Sequence, residues 1–226
     1  MMLVFEDRAA LAAGLAQDTA AALANRLKIN DTAWLAVSGG STPGLFFQVL
    51  SQAEIDWSRV AVTLVDERWV PESSPRSNEA LVRRSLLVNK AAVARFVPLY
   101  NGAATPEDGL EDVQAQFAAQ SLPFAAVILG MGEDGHTASF FPGGDHLAAA
   151  LDPAPGQLLE SMRAQGAGEP RITFTLPPLV EADFVALHIE GAAKQEVLAK
   201  AREPGLETEM PVRAILRHKP KILWCP

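Results

Sequence analysis

Short, continuous apolar runs recur along the chain between longer stretches in which apolar residues return every three or four positions. The first long stretch covers residues 6–29, where Leu11, Leu15, Leu23 and Leu27 are spaced by multiples of four on an alanine-rich background. That spacing predicts a helix with one buried face, closed by Asn30-Asp31. Ala33–Val37 reads as a short buried strand running into Ser38-Gly39-Gly40-Ser41-Thr42-Pro43. A helix with Leu45, Phe46, Val49 and Leu50 on its apolar face follows. Pro43 suits its first turn, and Ser41 or Thr42 its N-cap. Val60–Val65 is the next strand, ending at Asp66-Glu67-Arg68-Trp69, and a polar loop from Pro71 leads to a helix capped by Ser77 or Asn78. Phe96–Leu99 reads as a strand. Thr105 then caps a helix with Pro106 at its first position, acids in its first turn, and Leu110, Val113 and Phe117 buried.

Phe124–Leu129 begins a central strand, apolar and rich in the residues of a strand covered on both faces. After its loop, Pro142-Gly143-Gly144 interrupts the chain before a helix over Asp145–Leu151. Residues 152–170 are rich in Pro, Gly, Ala and Gln, with Leu158–Met162 as their one ordered stretch. Arg171–Leu176 and Phe184–Ile189 read as strands. A helix from Gly191-Ala192-Ala193-Lys194 to about Arg202 follows, stopped by Pro204-Gly205, then a short helix over Pro211–Leu216 and a last strand over Lys221–Trp224. Strands alternating with helices predict an α/β fold: a doubly wound, mostly parallel sheet with helices on both faces. No repeat and no long linker divides the chain, so residues 1–226 are expected to form one domain.

Composition narrows the function more than the fold. A chain of 226 residues that is 49% hydrophobic can bury a core without disulfides or a structural metal. Its net charge of −8, from 27 acids against 19 bases, argues against a nucleic-acid partner. A few local bases can still hold an anionic small molecule. The single cysteine, Cys225, can make no internal disulfide, Met1–Asp7 places charge where a signal peptide has its apolar core, and no run approaches a membrane span. A cytoplasmic protein with no membrane partner is the expectation. His136, His146, His188 and His218 show no zinc-type spacing, so no metal is expected.

Three stretches carry candidate chemistry. Gly130-Met131-Gly132-Glu133-Asp134-Gly135 matches the dinucleotide pattern G-x-G-x-x-G in form, but the fingerprint needs a helix opening in the motif and a strand ending in an acid about twenty residues later. Pro142-Gly143-Gly144 limits any such helix, and Leu147–Gly156 does not read as a strand. His136, two residues from Asp134 in this loop, is a candidate general base, since imidazole titrates at about 6.5. The plainer reading is a hydrogen-bonded structural histidine. Ser38, Ser41 and Ser139 lack a G-x-S-x-G elbow, so histidine-activated water is the simpler mechanism. Gly39–Thr42 offers backbone N–H groups and two hydroxyls at a helix start, which fits a phosphate and equally an ordinary βα turn. The charged cluster at Asp66-Glu67-Arg68 fits a site at a strand's carboxyl end, or a solvated strand end.

Taken in order, Ser38–Pro43, Asp66–Pro71 with Ser77-Asn78, Gly130–Pro142, Arg171-Ile172-Thr173 and Gly191–Lys194 resemble the glucosamine-6-phosphate isomerase/6-phosphogluconolactonase family over nearly the whole chain. The deaminases of that family follow their histidine with Asn-Glu-Pro and carry an aromatic residue at the place of Arg68. Phe140-Phe141-Pro142 and Arg68 depart from both features and resemble the lactonase branch. The resemblance implies a glucosamine-6-phosphate deaminase-like fold and hydrolysis of 6-phospho-D-glucono-1,5-lactone to 6-phosphogluconate, without cofactor or metal. It also implies that Gly39, Gly40, Ser41, Thr42, Arg171 and Lys194 hold the 6-phosphate, and that Asp66, Asn78, Gly132 and Thr137 line the substrate site. His136 would activate water, Asp134 would orient the imidazole or the sugar hydroxyls, and Arg68, with backbone N–H groups of the central loop, would stabilise the oxyanion. The partner implied is the sugar phosphate lactone alone, with the chain a monomer or weak homo-oligomer.

Overall fold

A computed structural model describes residues 2–118, 122–154 and 156–226. Its main sheet has seven parallel strands: β1 (Met2–Val4), β2 (Ala33–Val37), β3 (Val60–Leu64), β5 (Arg95–Phe96), β6 (Ala126–Leu129), β9 (Phe184–Glu190) and β10 (Lys221–Cys225). They lie in the order β1-β10-β9-β6-β2-β3-β5. The doubly wound α/β expectation holds. Every residue of β2, β3 and β6 is buried, as strands covered on both faces require. The cover includes α1 (Arg8–Leu27), α2 (Gly44–Leu50), α3 (Asn78–Ser85), α4 (Pro106–Ala118) and α7 (Ala192–Arg202). Helix α1 is held at its start by Asp7, whose carboxylate accepts from the N–H of Ala10 at 2.8 Å. It buries Leu11, Leu15 and Leu23.

Several boundaries differ from the periodic pattern. The run at 60–68 is not one strand: β3 ends at Leu64, and Asp66–Arg68 leaves as β4 to pair antiparallel with β8 (Arg171–Phe174). With β7 (Leu159–Met162), these form a second, three-stranded sheet, in the order β4-β8-β7, that hydrophobic spacing does not announce. β8 stops at Phe174 because Leu176–Val180 forms the short helix α6, whose Pro177 and Pro178 occupy first-turn positions where no N–H is needed. The strand expected over Phe96–Leu99 shrinks to Arg95–Phe96, with Pro98 unable to donate to a ladder. Helix α2 starts after Pro43, and neither Ser41 nor Thr42 caps it. Ser77 does cap α3, accepting from Ala80 N at 3.2 Å.

The connections fix where a ligand can sit. From β2 the chain moves to β3 on one side, while β6 pairs with β2 on the other and leads on to β9. The loops after β2 and β6 therefore diverge at the middle of the sheet, the topological switch point where open α/β sheets leave a crevice.

Candidate active site

At that switch point lies a cleft of about 280 Å³. The expected residues Gly39, Gly40, Ser41, Thr42, Asp66, Arg68, Asn78, Gly132, His136, Thr137, Arg171 and Lys194 all line it. Asp134 does not, and stands behind His136 instead.

The two switch-point loops are tied together near their roots. Ser38 N donates to the carbonyl of Ile128 at 2.9 Å, and Gly130 N donates to Ser38 Oγ at 3.1 Å. The loop after β6 then folds on itself: Gly132 N donates to the His136 carbonyl at 2.8 Å, and Thr137 Oγ1 to the Gly130 carbonyl at 2.7 Å. This closure presents the His136 ring to the cleft. Its Nδ1 lies 2.6 Å from Asp134 Oδ1, the same oxygen that accepts from the His136 backbone N–H at 3.1 Å. With Nδ1–H turned to the carboxylate, Nε2 is the basic nitrogen, and it has no partner among the described residues. Burial would raise the Asp134 carboxyl, but the hydrogen bond and charge of His136 outweigh it and hold the group below its ordinary value. Gly132 is needed for this pair. A Cβ there would lie 2.1 Å from His136 Nδ1 and 2.6 Å from Asp134 Oδ1.

The opposite wall is positive. Arg68 and Arg171 are direct partners across the β4–β8 ladder, and the Nε of each is buried without a hydrogen-bond acceptor among the described residues. A buried guanidinium N–H left without an acceptor is costly. Arg171 is otherwise held by the Ala167 carbonyl at 2.7 Å and by Asp66 Oδ2 at 3.5 Å, and lies over the Phe141 ring at 5.3 Å. Burial draws its guanidinium below the ordinary value, an effect that Asp66 opposes and Arg68 reinforces. Phe141 also packs against His136, with ring centroids 4.4 Å apart, so one aromatic ring spaces the imidazole from Arg171.

Glu67 and Ser139, outside the expected substrate-binding set, organise this wall together with Asp66 and Asn78. Glu67 is buried and accepts from the N–H groups of Arg68, Asn78 and Glu79, each at 2.8 Å, and from Ser77 Oγ at 3.0 Å. Burial pushes its carboxyl up, while those four donors pull it back. The same carboxylate thus joins the strand bearing Arg68 to the helix bearing Asn78. Asn78 Nδ2 donates to the Asp66 carbonyl at 2.9 Å, and its Oδ1 lies where a Cβ on Gly39 would sit, 1.9 Å away. Ser139, fully buried, donates to Asp66 Oδ2 at 2.5 Å and does not line the cleft, a positioning contact rather than a nucleophile's place. The available signal for Glu67 was an acid inside a strand-end motif, which burial excludes unless donors collect around it. Among the described residues, no group of three His, Cys, Asp or Glu side chains could hold a metal.

Comparison with known proteins gives the family and the fold. The family model described as glucosamine-6-phosphate isomerases/6-phosphogluconolactonase matches residues 6–224. A 6-phosphogluconolactonase of Rhizobium meliloti is 52% identical over 228 residues, covering 100% of this chain and 98% of that protein. One from Pseudomonas aeruginosa is 42% identical, covering 99% and 94%. The crystal structure of a 6-phosphogluconolactonase from Shewanella baltica superposes with a TM-score of 0.96 at 37% identity, covering 100% of this chain and 97% of that one.

Proposed function

The chain belongs to the glucosamine-6-phosphate isomerase/6-phosphogluconolactonase family, and on that premise we propose how its cleft works. The protein hydrolyses 6-phospho-D-glucono-1,5-lactone to 6-phosphogluconate, a step of the oxidative pentose phosphate pathway. The whole chain acts as one lactonase domain, placed in the cytoplasm as its metabolic family suggests. No described helix is long and apolar enough to cross a membrane. The observation that carries the mechanism is the His136 ring, tied on Nδ1 to Asp134 and lining the cleft with Nε2 unpartnered among the described residues.

Nε2 takes a proton from water as the water oxygen bonds to C1 of the lactone. The carbonyl oxygen becomes an oxyanion, stabilised by the Arg68 guanidinium, which lines the cleft, and by N–H groups of the loop after β6. The tetrahedral intermediate collapses by breaking the bond between C1 and the ring oxygen, and His136 returns its proton to that oxygen. General acid–base catalysis of this kind typically contributes about 10²–10⁴-fold. Gly39–Thr42, Lys194 and Arg171 hold the 6-phosphate, the arginine and lysine concentrating positive charge in a protein of net charge −8. Asp66, Asn78, Gly132 and Thr137 shape the sugar pocket.

The test is turnover of fresh 6-phosphogluconolactone, followed by proton release against the spontaneous rate. Wild type accelerates it, and His136→Ala, folded by circular dichroism, loses most of kcat. A folded His136→Ala protein with wild-type kcat would remove the general-base role. Ammonia release from glucosamine 6-phosphate without lactone turnover would overturn the lactonase reading in favour of the deaminase branch.

A further inference from the structure

The Lys194 side of the cleft contains an ionisable group that this mechanism does not use. His188, on β9, is 4% exposed yet lines the cleft together with the 38–43 loop and Lys194. Its ring is oriented from two sides. Nε2 lies 3.0 Å from Glu190 Oε1, and the ring packs edge-on against Phe46 of α2 at 6.2 Å and 80°. Glu190 Oε2 pairs in turn with Arg8 Nε at 3.0 Å, so both carboxylate oxygens are engaged. Nδ1 has no partner among the described residues. A histidine serving only the core would be satisfied there, whereas this one keeps a ring nitrogen without a partner among the described residues and lines the same cleft as the loop and lysine proposed to receive the phosphate.

We propose that His188 is a further phosphate-binding residue, an imidazolium that donates from Nε2 to Glu190 and from Nδ1 to a phosphoryl oxygen of the substrate. The proposal rests on the lactonase reading for the identity of that phosphorylated ligand. Only in the imidazolium do both ring nitrogens donate. Glu190 on one side and a phosphate dianion on the other both favour that form. Lys194, which lines the same cleft, opposes it, as does Arg8 on α1 from beyond Glu190. On β10, burial and Glu190 push the Cys225 thiol up, so it adds no charge near neutral pH. α2 and β6 carry no charged residue. The phosphate therefore tips the balance of charge around the ring, and ligand binding takes up a proton.

The experiment titrates 6-phosphogluconate into wild type, His188→Leu and His188→Asn near neutral pH, by calorimetry in two buffers of different ionisation enthalpy. Losing one charge-assisted hydrogen bond raises Kd about tenfold in His188→Leu, roughly 1.4 kcal/mol. His188→Asn, whose amide nitrogen falls near the place of Nδ1, loses less, and both variants take up fewer protons than wild type. The ratio of kcat/KM for phosphorylated over unphosphorylated gluconolactone falls in parallel. Unchanged Kd and proton uptake in both variants, or equal losses on both lactones, would overturn the proposal. If His188→Leu fails to fold, His188→Asn carries the comparison alone. Because binding needs no turnover, a wild type that binds 6-phosphogluconate but hydrolyses no lactone would sink the lactonase reading and leave the His188 measurement decisive.

Discussion

Replacing Asp134 with Asn tests the catalytic pair at constant shape. Asp134 Oδ1 receives two hydrogen bonds, from His136 Nδ1 at 2.6 Å and from the His136 backbone N–H at 3.1 Å. The backbone donor requires an oxygen at that place, so the asparagine keeps Oδ1 there and turns its NH2 away from the ring. The imidazole then retains its tautomer, with Nε2 still basic, but loses the negative charge that stabilises the imidazolium formed during water attack. A hydrogen bond involving a charged group is worth about 1.5–3 kcal/mol and a neutral one about 0.5–1.5 kcal/mol. The difference, about 1–2 kcal/mol, corresponds to a loss of roughly 5–30-fold in kcat. KM changes little, because Asp134 does not line the cleft. The assay is initial-rate proton release from freshly made lactone, with the spontaneous rate subtracted, across a range of substrate concentrations. A kcat within twofold of wild type would refute the argument that the carboxylate stabilises the imidazolium. A raised KM at unchanged kcat would show instead that Asp134 orients the sugar.

Three other perturbations reach separate parts of the structure. Gly39→Ala places a methyl group 1.9 Å from Asn78 Oδ1 and should displace that side chain from the Asp66 carbonyl. Overpacking and a lost buried hydrogen bond together cost about 2–4 kcal/mol, read as a lower denaturant midpoint, and an unchanged midpoint would show that the Asn78 contact is dispensable. Lys194→Ala should lower the ratio of kcat/KM for phosphorylated over unphosphorylated lactone, whereas equal losses on both would argue against a phosphate contact. Glu107, beside Arg163, has its carboxyl drawn down to about 2 by that guanidinium's hydrogen bond. A depressed carboxyl contributes stability above its ordinary value of 4.5, which is lost as pH falls through about 2. The pair is largely solvent-exposed, so Glu107→Gln should cost less than about 1 kcal/mol at neutral pH and nothing once the wild-type carboxyl is protonated. A larger cost, or one insensitive to acid, would contradict solvent screening of the pair.

What the sequence made legible follows from how far apart the interacting residues are. Parallel strands buried on both faces announce themselves as continuous apolar runs, so Ala33–Val37 and Ala126–Leu129 could be placed at the centre of a sheet from local composition alone. The loops that follow them fall at the carboxyl ends of those strands. Gly39–Thr42 and His136 could therefore be assigned to one crevice before any contact was known. The second sheet had no such signal. Arg68 and Arg171 become neighbours only because β4 turns away from β3 and pairs antiparallel with a strand more than a hundred residues later, and three- and four-residue strands carry too little periodicity to reveal that pairing. Glu67 and His188 were hidden for a related reason. Glu67 stands out only as one member of a charged strand end and His188 only as one of four histidines, and each acquires its particular place from neighbours on other elements: the start of α3 for the glutamate, Phe46 of α2 for the histidine. Local pattern thus locates the residues that loops present to a ligand, while the residues that hold those loops against each other depend on tertiary pairing. The arginine wall depends on that pairing most directly. If Glu67 were replaced by Gln with its amide nitrogen in the place of Oε2, the Glu79 N–H would lose its acceptor, while the remaining oxygen would still join the N–H of Arg68 to that of Asn78, so the start of α3 would be loosened rather than released from the strand.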